Sequence, residues 1–189
     1  MRIISGKFKG TKLFIPLDKK TRPLKDLVKE AIFNTLRYSV KCSLKLKNTK
    51  ILDLFSGTGS FGLECLSRYA EKVFFIEKEK EAIKILKKNI EKLKIKKKTK
   101  IYFDEVFKLI EKQNIFISNF NLIFCDPPFK NKNIEKLVEL IFYKNLLQKD
   151  GIIILHRNKN TEEKLPNYFK IIEERIYGIS KITFGKFSS

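Results

Sequence analysis

At 189 residues, with 43% hydrophobic and 33% charged side chains, the chain suits one domain with a small appendage and is too apolar to stay disordered. Forty-one basic against 21 acidic residues give a net charge of +20, which suits a partner rich in phosphate, nucleic acid first; yet only six of the basic residues are arginine and tryptophan is absent, the pattern that AT-rich coding also produces. No apolar run approaches the roughly 20 residues of a membrane-spanning helix, and Met1–Gly10 carries no apolar signal region, so a cytoplasmic protein is expected.

Residues 1–15 read as a hairpin of two short strands around Gly6 and Gly10, with Ile3, Phe8, Leu13 and Ile15 available for a buried face. After Thr21-Arg22-Pro23, helical spacing of Leu24, Leu27, Val28, Ala31, Ile32 and Leu36 predicts an amphipathic helix. Residues 1–40 thus form an extension to a main domain spanning 41–189. From Lys50 the pattern changes to short apolar strands at 51–55, 73–76, 101–103, 122–125 and 152–155. Helical segments near 60–70, 80–93, 105–112 and 132–147 separate them. That alternation predicts a parallel α/β sheet with helices on both faces. Strand-like segments 170–177 and 181–187 around Gly178 predict a closing antiparallel hairpin, for seven strands in all. Cys42, Cys65 and Cys125 are odd in number, far apart and accompanied by one histidine, His156; they read as small buried hydrophobes, and no metal site is expected.

The strongest local motif is Asp53-Leu54-Phe55-Ser56-Gly57-Thr58-Gly59-Ser60-Phe61-Gly62, a strand running through a glycine turn into a helix. Gly57, Gly59 and Gly62, with Glu77 twenty residues after Gly57, satisfy a dinucleotide-binding fingerprint, so the spacing alone does not choose a cofactor. Asp53 shifts the balance. A carboxylate just before the turn repels a pyrophosphate but suits the cationic amino-acid tail and sulfonium of S-adenosylmethionine. Phe55 and Thr58 belong to the same turn. Glu77, ending the second strand, can accept hydrogen bonds from ribose hydroxyls, and Asp104, after the third, can meet an adenine amine.

The fourth strand ends in Asp126-Pro127-Pro128-Phe129. An exocyclic amine on a nucleobase is a poor nucleophile because its lone pair is delocalised into the ring. A catalyst must therefore hold its N–H groups and orient that lone pair. Asp126 and the Pro127 carbonyl can accept the hydrogens, the prolines stiffen the turn, and Phe129 offers a face for stacking. The chemistry this suits is in-line attack of the amine on the methyl carbon of S-adenosylmethionine, with positioning supplying most of the acceleration. It needs no strong general base, because the alkylated amine is acidic and loses its proton afterwards.

With these motifs in place, the sequence resembles the bacterial 16S ribosomal RNA guanine-N2 methyltransferases of the RsmD type along essentially its whole length. Beyond the two site motifs, the resemblance rests on Met1-Arg2-Ile3-Ile4-Ser5-Gly6-Lys7-Phe8-Lys9-Gly10, Thr21-Arg22-Pro23 and Lys29-Glu30-Ala31-Ile32-Phe33-Asn34. Leu24 and Lys29 depart from the family pattern, which has threonine and arginine there. The resemblance implies a monomeric, Rossmann-like class I methyltransferase acting on one guanine of small-subunit rRNA, within an assembled or assembling subunit. By this reading Arg2, Lys7, Lys9, Lys12 and Arg22 form an RNA-facing basic rim. The rivals are a DNA adenine or cytosine amino-methyltransferase, a nicotinamide-dependent oxidoreductase and a noncatalytic RNA-binding assembly factor.

Overall fold

Strands whose residues are apolar at every position must be covered on both faces, because successive side chains point to opposite sides. The computed structural model, which describes residues 1–16, 24–112, 116, 119–128, 131 and 133–188, meets that requirement with a seven-stranded sheet between two helical layers. In chain order the elements are α1 (Asp26–Tyr38), β1 (Lys50–Leu54), α2 (Ser60–Ser67), β2 (Lys72–Glu77), α3 (Lys80–Leu93), β3 (Thr99–Phe103), α4 (Val106–Glu111), β4 (Phe120–Cys125), α5 (Ile134–Tyr143), β5 (Leu147–Asn158), β6 (Phe169–Tyr177) and β7 (Ser180–Phe187).

The strand order is β3-β2-β1-β4-β5-β7-β6. Strands β1 to β5 are parallel, and β7 runs antiparallel to both β5 and β6, so the expected Rossmann-like sheet and its closing hairpin are both present. Alternate residues divide the core. Ile51, Val73, Phe75, Leu122, Phe124, Ile152 and Ile154 pack with α1, α2 and α3, whereas Leu52, Leu54, Phe74, Ile76, Ile123, Ile153 and Leu155 pack with α4 and α5. The chain order reverses between β1 and β4, and at such a switch point the carboxyl ends of the strands diverge into a crevice.

Two N-terminal expectations change. The hairpin strands reduce to a single antiparallel bridge, Arg2 with Lys12. Around it Ile3 N–H donates to the Thr11 carbonyl at 3.0 Å and Gly10 N–H to the Ile3 carbonyl at 2.9 Å, while the tip turns to α2: Ile4 and Ser5 N–H donate to the Glu64 carboxylate at 2.7 and 2.9 Å, and Lys7 N–H donates to the Ser67 carbonyl at 2.8 Å. In α1, Leu27 is exposed while Lys29 is fully buried. The Lys29 ammonium donates to the Arg2 carbonyl at 2.8 Å and to Ser60 Oγ at 3.4 Å, and lies 3.4 Å from Asp26 and 3.9 Å from Glu64. Burial pushes its pKa below the ordinary lysine value, and the charges of Glu64 and Asp26 push it back up.

Glu64 is itself fully buried and also takes Arg68 Nε at 2.8 Å, so one carboxylate joins the N-terminal segment, α1 and α2. Removing one member of a buried ion pair strands the other charge. Glu64→Ala is expected to cost about 3–5 kcal/mol in urea unfolding. A cost below about 1 kcal/mol, the range of a surface pair, would remove Glu64 from this role.

Candidate active site

The glycine turn follows β1 directly. Phe55 takes a positive φ of 59°, and Gly59, at φ 85°, sits where an added Cβ would lie 2.4 Å from Leu86 Cδ1. Its backbone conformation therefore favours glycine, and a Cβ there would also push Leu86 aside. Gly62 answers a different demand, since a Cβ there would lie 2.4 Å from the Phe75 ring and 2.7 Å from Val73 Cγ1; its absence lets α2 lie close on β2.

Asp53 is 2% exposed and accepts the Gly62 N–H at 3.0 Å. Burial pushes its carboxyl well above the ordinary carboxylate range, and the charges of Asp126 and Glu77 push it the same way; the Gly62 hydrogen bond opposes them. Glu77, also buried, accepts Gly57 N–H on Oε2 at 2.7 Å and the N–H groups of Lys78 and Glu79 on Oε1 at 2.8 and 2.9 Å. Oε1 is thus fully used and Oε2 keeps one lone pair, so one position is open to a hydroxyl where the sequence suggested two.

Asp104 stands at the next strand end, its N–H on the Glu77 carbonyl at 3.2 Å. Lys112, 2.5 Å away, and the Glu105 N–H hold its carboxyl below the ordinary range. Thr58 is buried, and its carbonyl accepts from Asn89 Nδ2 at 3.2 Å. The buried Ser56 hydroxyl has no hydrogen-bond partner among the described residues. A buried carboxyl held against its own ionisation, an orphaned hydroxyl and a turn bare of side chains at Gly57 and Gly59 together fit a ligand bearing a cation and hydrogen-bonding groups. A pyrophosphate would bring negative charge toward three carboxylates.

Across the switch point, Asp126 follows β4. Its Oδ1 is 2.8 Å from His156 Nδ1, whose Nε2 is 2.9 Å from Ser180 Oγ. Its Oδ2 has no hydrogen-bond partner among the described residues. Arg157, 1% exposed, donates to the Pro128 carbonyl at 3.2 Å and the Asn131 carbonyl at 2.5 Å, and pairs with Glu163. These bonds anchor the turn from one side. Phe129 and Arg22 lie outside the described residues.

The structure brings Asp53, Glu77 and Asp126 to one crevice with Phe55, Gly57, Thr58 and Gly59, and sets Asp104 at its edge. It splits the basic rim. Arg2 and Lys12, joined by their bridge, approach the glycine turn: the Arg2 carbonyl shares Lys29 with Ser60, and Phe14 shares Asn89 with Thr58. Lys7 docks at Ser67, the opposite end of α2, with Lys9 beyond it on the Gly6 carbonyl. Sequence reasoning missed His156 and Arg157 because it ended the strand at Leu155. The available signal was the pair of polar residues following Ile152–Leu155, at the height where the parallel register sets Cys125 beside Leu155.

Comparison with known proteins agrees with this geometry. The family described as conserved hypothetical protein 95 matches residues 1–186. A putative rRNA methyltransferase of Bacillus subtilis, YlbH, is 33% identical over 86% of this chain and 85% of its own. The ribosomal RNA small subunit methyltransferase D of Haemophilus influenzae is 32% identical over 95% and 90%. Among solved structures, the putative methyltransferase yhhF of Escherichia coli superposes with a TM-score of 0.84 at 26% identity, covering 99% of this chain and 97% of its own.

The raised Asp53 pKa has a signed consequence. A folded carboxyl that holds its proton more tightly than the unfolded one loses stability as pH climbs from about 4. Asp53→Asn removes that loss. It is expected to raise Tm at pH 7.5, by about 2–4 °C for each kcal/mol recovered, with no gain near pH 4. The same change is expected to weaken S-adenosylmethionine about 10–100-fold in calorimetry, the value of one hydrogen bond to a charged group. Unchanged affinity would mean that Asp53 does not meet the cation.

Proposed function

The chain belongs to the conserved hypothetical protein 95 family, the RsmD family of methyltransferases, and on that premise we propose that it transfers the methyl group of S-adenosylmethionine to the exocyclic N2 amine of a guanine in 16S rRNA. It acts as a monomer in the cytoplasm, on RNA in an assembled or assembling small ribosomal subunit. The observation that carries the reading is the pairing, across one switch point, of a buried acidic cluster suited to a sulfonium cofactor with an Asp-Pro-Pro turn suited to an amine.

S-adenosylmethionine supplies a methyl carbon made electrophilic by its cationic sulfur. Asp53, Phe55, Gly57, Thr58, Gly59, Glu77 and Asp104 hold it. Asp53 favours the cation, the remaining acceptor position on Glu77 takes a ribose hydroxyl, and the glycines admit close backbone approach. Asp126 Oδ2 and the Pro127 carbonyl accept the two N–H groups of guanine N2, which turns the nitrogen lone pair toward the methyl carbon. The Pro128 carbonyl is already engaged by Arg157 and by Asn131 N–H, so the acceptor role falls to Pro127. Phe129 stacks on the base. Proper orientation supplies most of the acceleration, and the proton leaves once the nitrogen is alkylated. The guanine must be unstacked or lie in a loop, because its amine is hidden in a regular duplex.

The exposed side chains of Arg2, Lys7, Lys9 and Lys12, with Arg22, contact RNA phosphates from the 1–40 extension. Arg2 and Lys12 flank the base-entry side, and Lys7 and Lys9 reach a more distant stretch of backbone.

The test is transfer of a labelled methyl group to unmethylated small subunits, free 16S rRNA and DNA, followed by nucleoside identification. The expected product is N2-methylguanosine in rRNA. N6-methyladenosine or N4-methylcytosine in DNA would overturn the substrate assignment. Asp126→Ala is expected to lower transfer at least about a hundredfold while cofactor affinity holds, and wild-type transfer would refute its role. Replacing Arg2 and Lys12 with alanine is expected to flatten the salt dependence of RNA binding by about 0.7 in log–log slope per lost phosphate contact. An unchanged slope would take these two residues out of the interface.

A further inference from the structure

We propose that His156 is a positioning residue for methyl transfer, fixing the Asp126 carboxylate between strand and substrate, with Ser180 holding the far nitrogen of its ring. The inference rests on the reading of Asp126 as the group that holds the reacting amine. Asp126 stands one residue beyond β4, on a turn, with its side chain about a quarter exposed (24%). A carboxylate in that position would rotate freely and offer the amine either oxygen in many orientations.

His156 removes that freedom. An ionised carboxylate only accepts, so in the 2.8 Å bond the proton sits on Nδ1. In the neutral ring Nε2 then accepts the Ser180 hydroxyl across 2.9 Å. The imidazole is 7% exposed and belongs to β5, opposite Ile182 of β7, so the ring is held by the sheet rather than by a loop. Ser180, also 7% exposed, is the first residue of β7. Oδ1 of Asp126 is thereby committed to the protein, and Oδ2 remains for the substrate N–H. Orientation that would otherwise be lost at each turnover is fixed in advance, which acts on kcat rather than on binding.

The two conservative replacements separate this role from simple packing. In His156→Asn the amide nitrogen takes the approximate place of Nδ1 and can still donate to Asp126. In His156→Gln it takes that of Nε2, keeping Ser180 and losing Asp126. With unmethylated small subunits and labelled S-adenosylmethionine, His156→Asn is expected to stay within about threefold of wild type. His156→Gln is expected to lose about 10–100-fold in kcat with both KM values unchanged.

Equal losses in both variants that track Tm, or a loss confined to KM, would overturn the proposal. Asp126→Asn is measured beside them. Wild-type transfer by Asp126→Asn removes the premise and the proposal with it, whereas an inactive Asp126→Asn beside a fully active His156→Gln removes the proposal alone. Should the histidine variants fail to fold, Ser180→Ala decides. It deletes one hydroxyl, and a several-fold fall in kcat at constant KM supports the relay, while unchanged kcat overturns it.

Discussion

The site depends on a repulsion. Parallel pairing of β1 with β2 and with β4 brings Asp53, Glu77 and Asp126 to neighbouring strand ends, and Asp53 meets the other two from inside the protein. Like charges in a poorly solvated place oppose one another strongly. Backbone N–H groups relieve some of the cost: one for Asp53, three for Glu77. What they leave is a deficit of positive charge in a chain whose net charge is +20. Among the described residues, no basic side chain forms an ion pair with Asp53 or Glu77. A cationic ligand corrects the deficit, so the same arrangement that weakens the free protein strengthens its complex.

Holding such a cluster together requires a rigid support, and the N-terminal segment supplies part of it. Glu64 and Lys29 turn the underside of α2 into a junction through which residues 2–5 and α1 are tied to the helix that begins at the glycine turn. Beside that junction the Phe61 ring lies between Phe33 of α1 and Phe124 of β4, at centroid distances of 5.2 and 3.9 Å. Phe124 is two residues before Asp126. A continuous packed path therefore runs from the extension through α2 to the strand bearing the Asp-Pro-Pro turn. Lys29 closes this junction through a single ammonium, which reaches both the Arg2 carbonyl and Ser60.

Much of this was legible in the sequence because the signals are local. Strands β2 and β4 show as apolar runs and β1 as one broken only by Asp53, α3 as a stripe of Ala82, Ile83, Leu86, Ile90 and Leu93, and the two motifs as short stretches whose spacing carries their geometry. The misreadings arose where a residue's partner is remote in the chain. Residues 1–15 alternate as strands do, but the backbone donors of Ile4, Ser5, Lys7 and Phe8 find Glu64 and Ser67 some sixty residues on. Leu27 fits the helical stripe of α1 and is exposed, while the charged Lys29 is buried, because a buried carboxylate on another helix awaits it. His156 looked like an isolated histidine for the same reason, its partners lying 30 residues before it and 24 after.

The length of β5 explains why those partners meet. Cys125, the last residue of β4, pairs with Leu155, and β5 continues to Asn158 by pairing with β7 alone. This three-residue overhang stands beside the turn that follows β4. Alternation along the overhang then sends His156 and Arg157 to opposite faces of the sheet, so one engages the Asp126 side chain and the other the Pro128 and Asn131 carbonyls. The turn is gripped twice from a single strand. The closing hairpin is thus part of the site's construction as well as the edge of the sheet: without β7 the overhang would lack a pairing partner, and Ser180 would not reach the histidine ring.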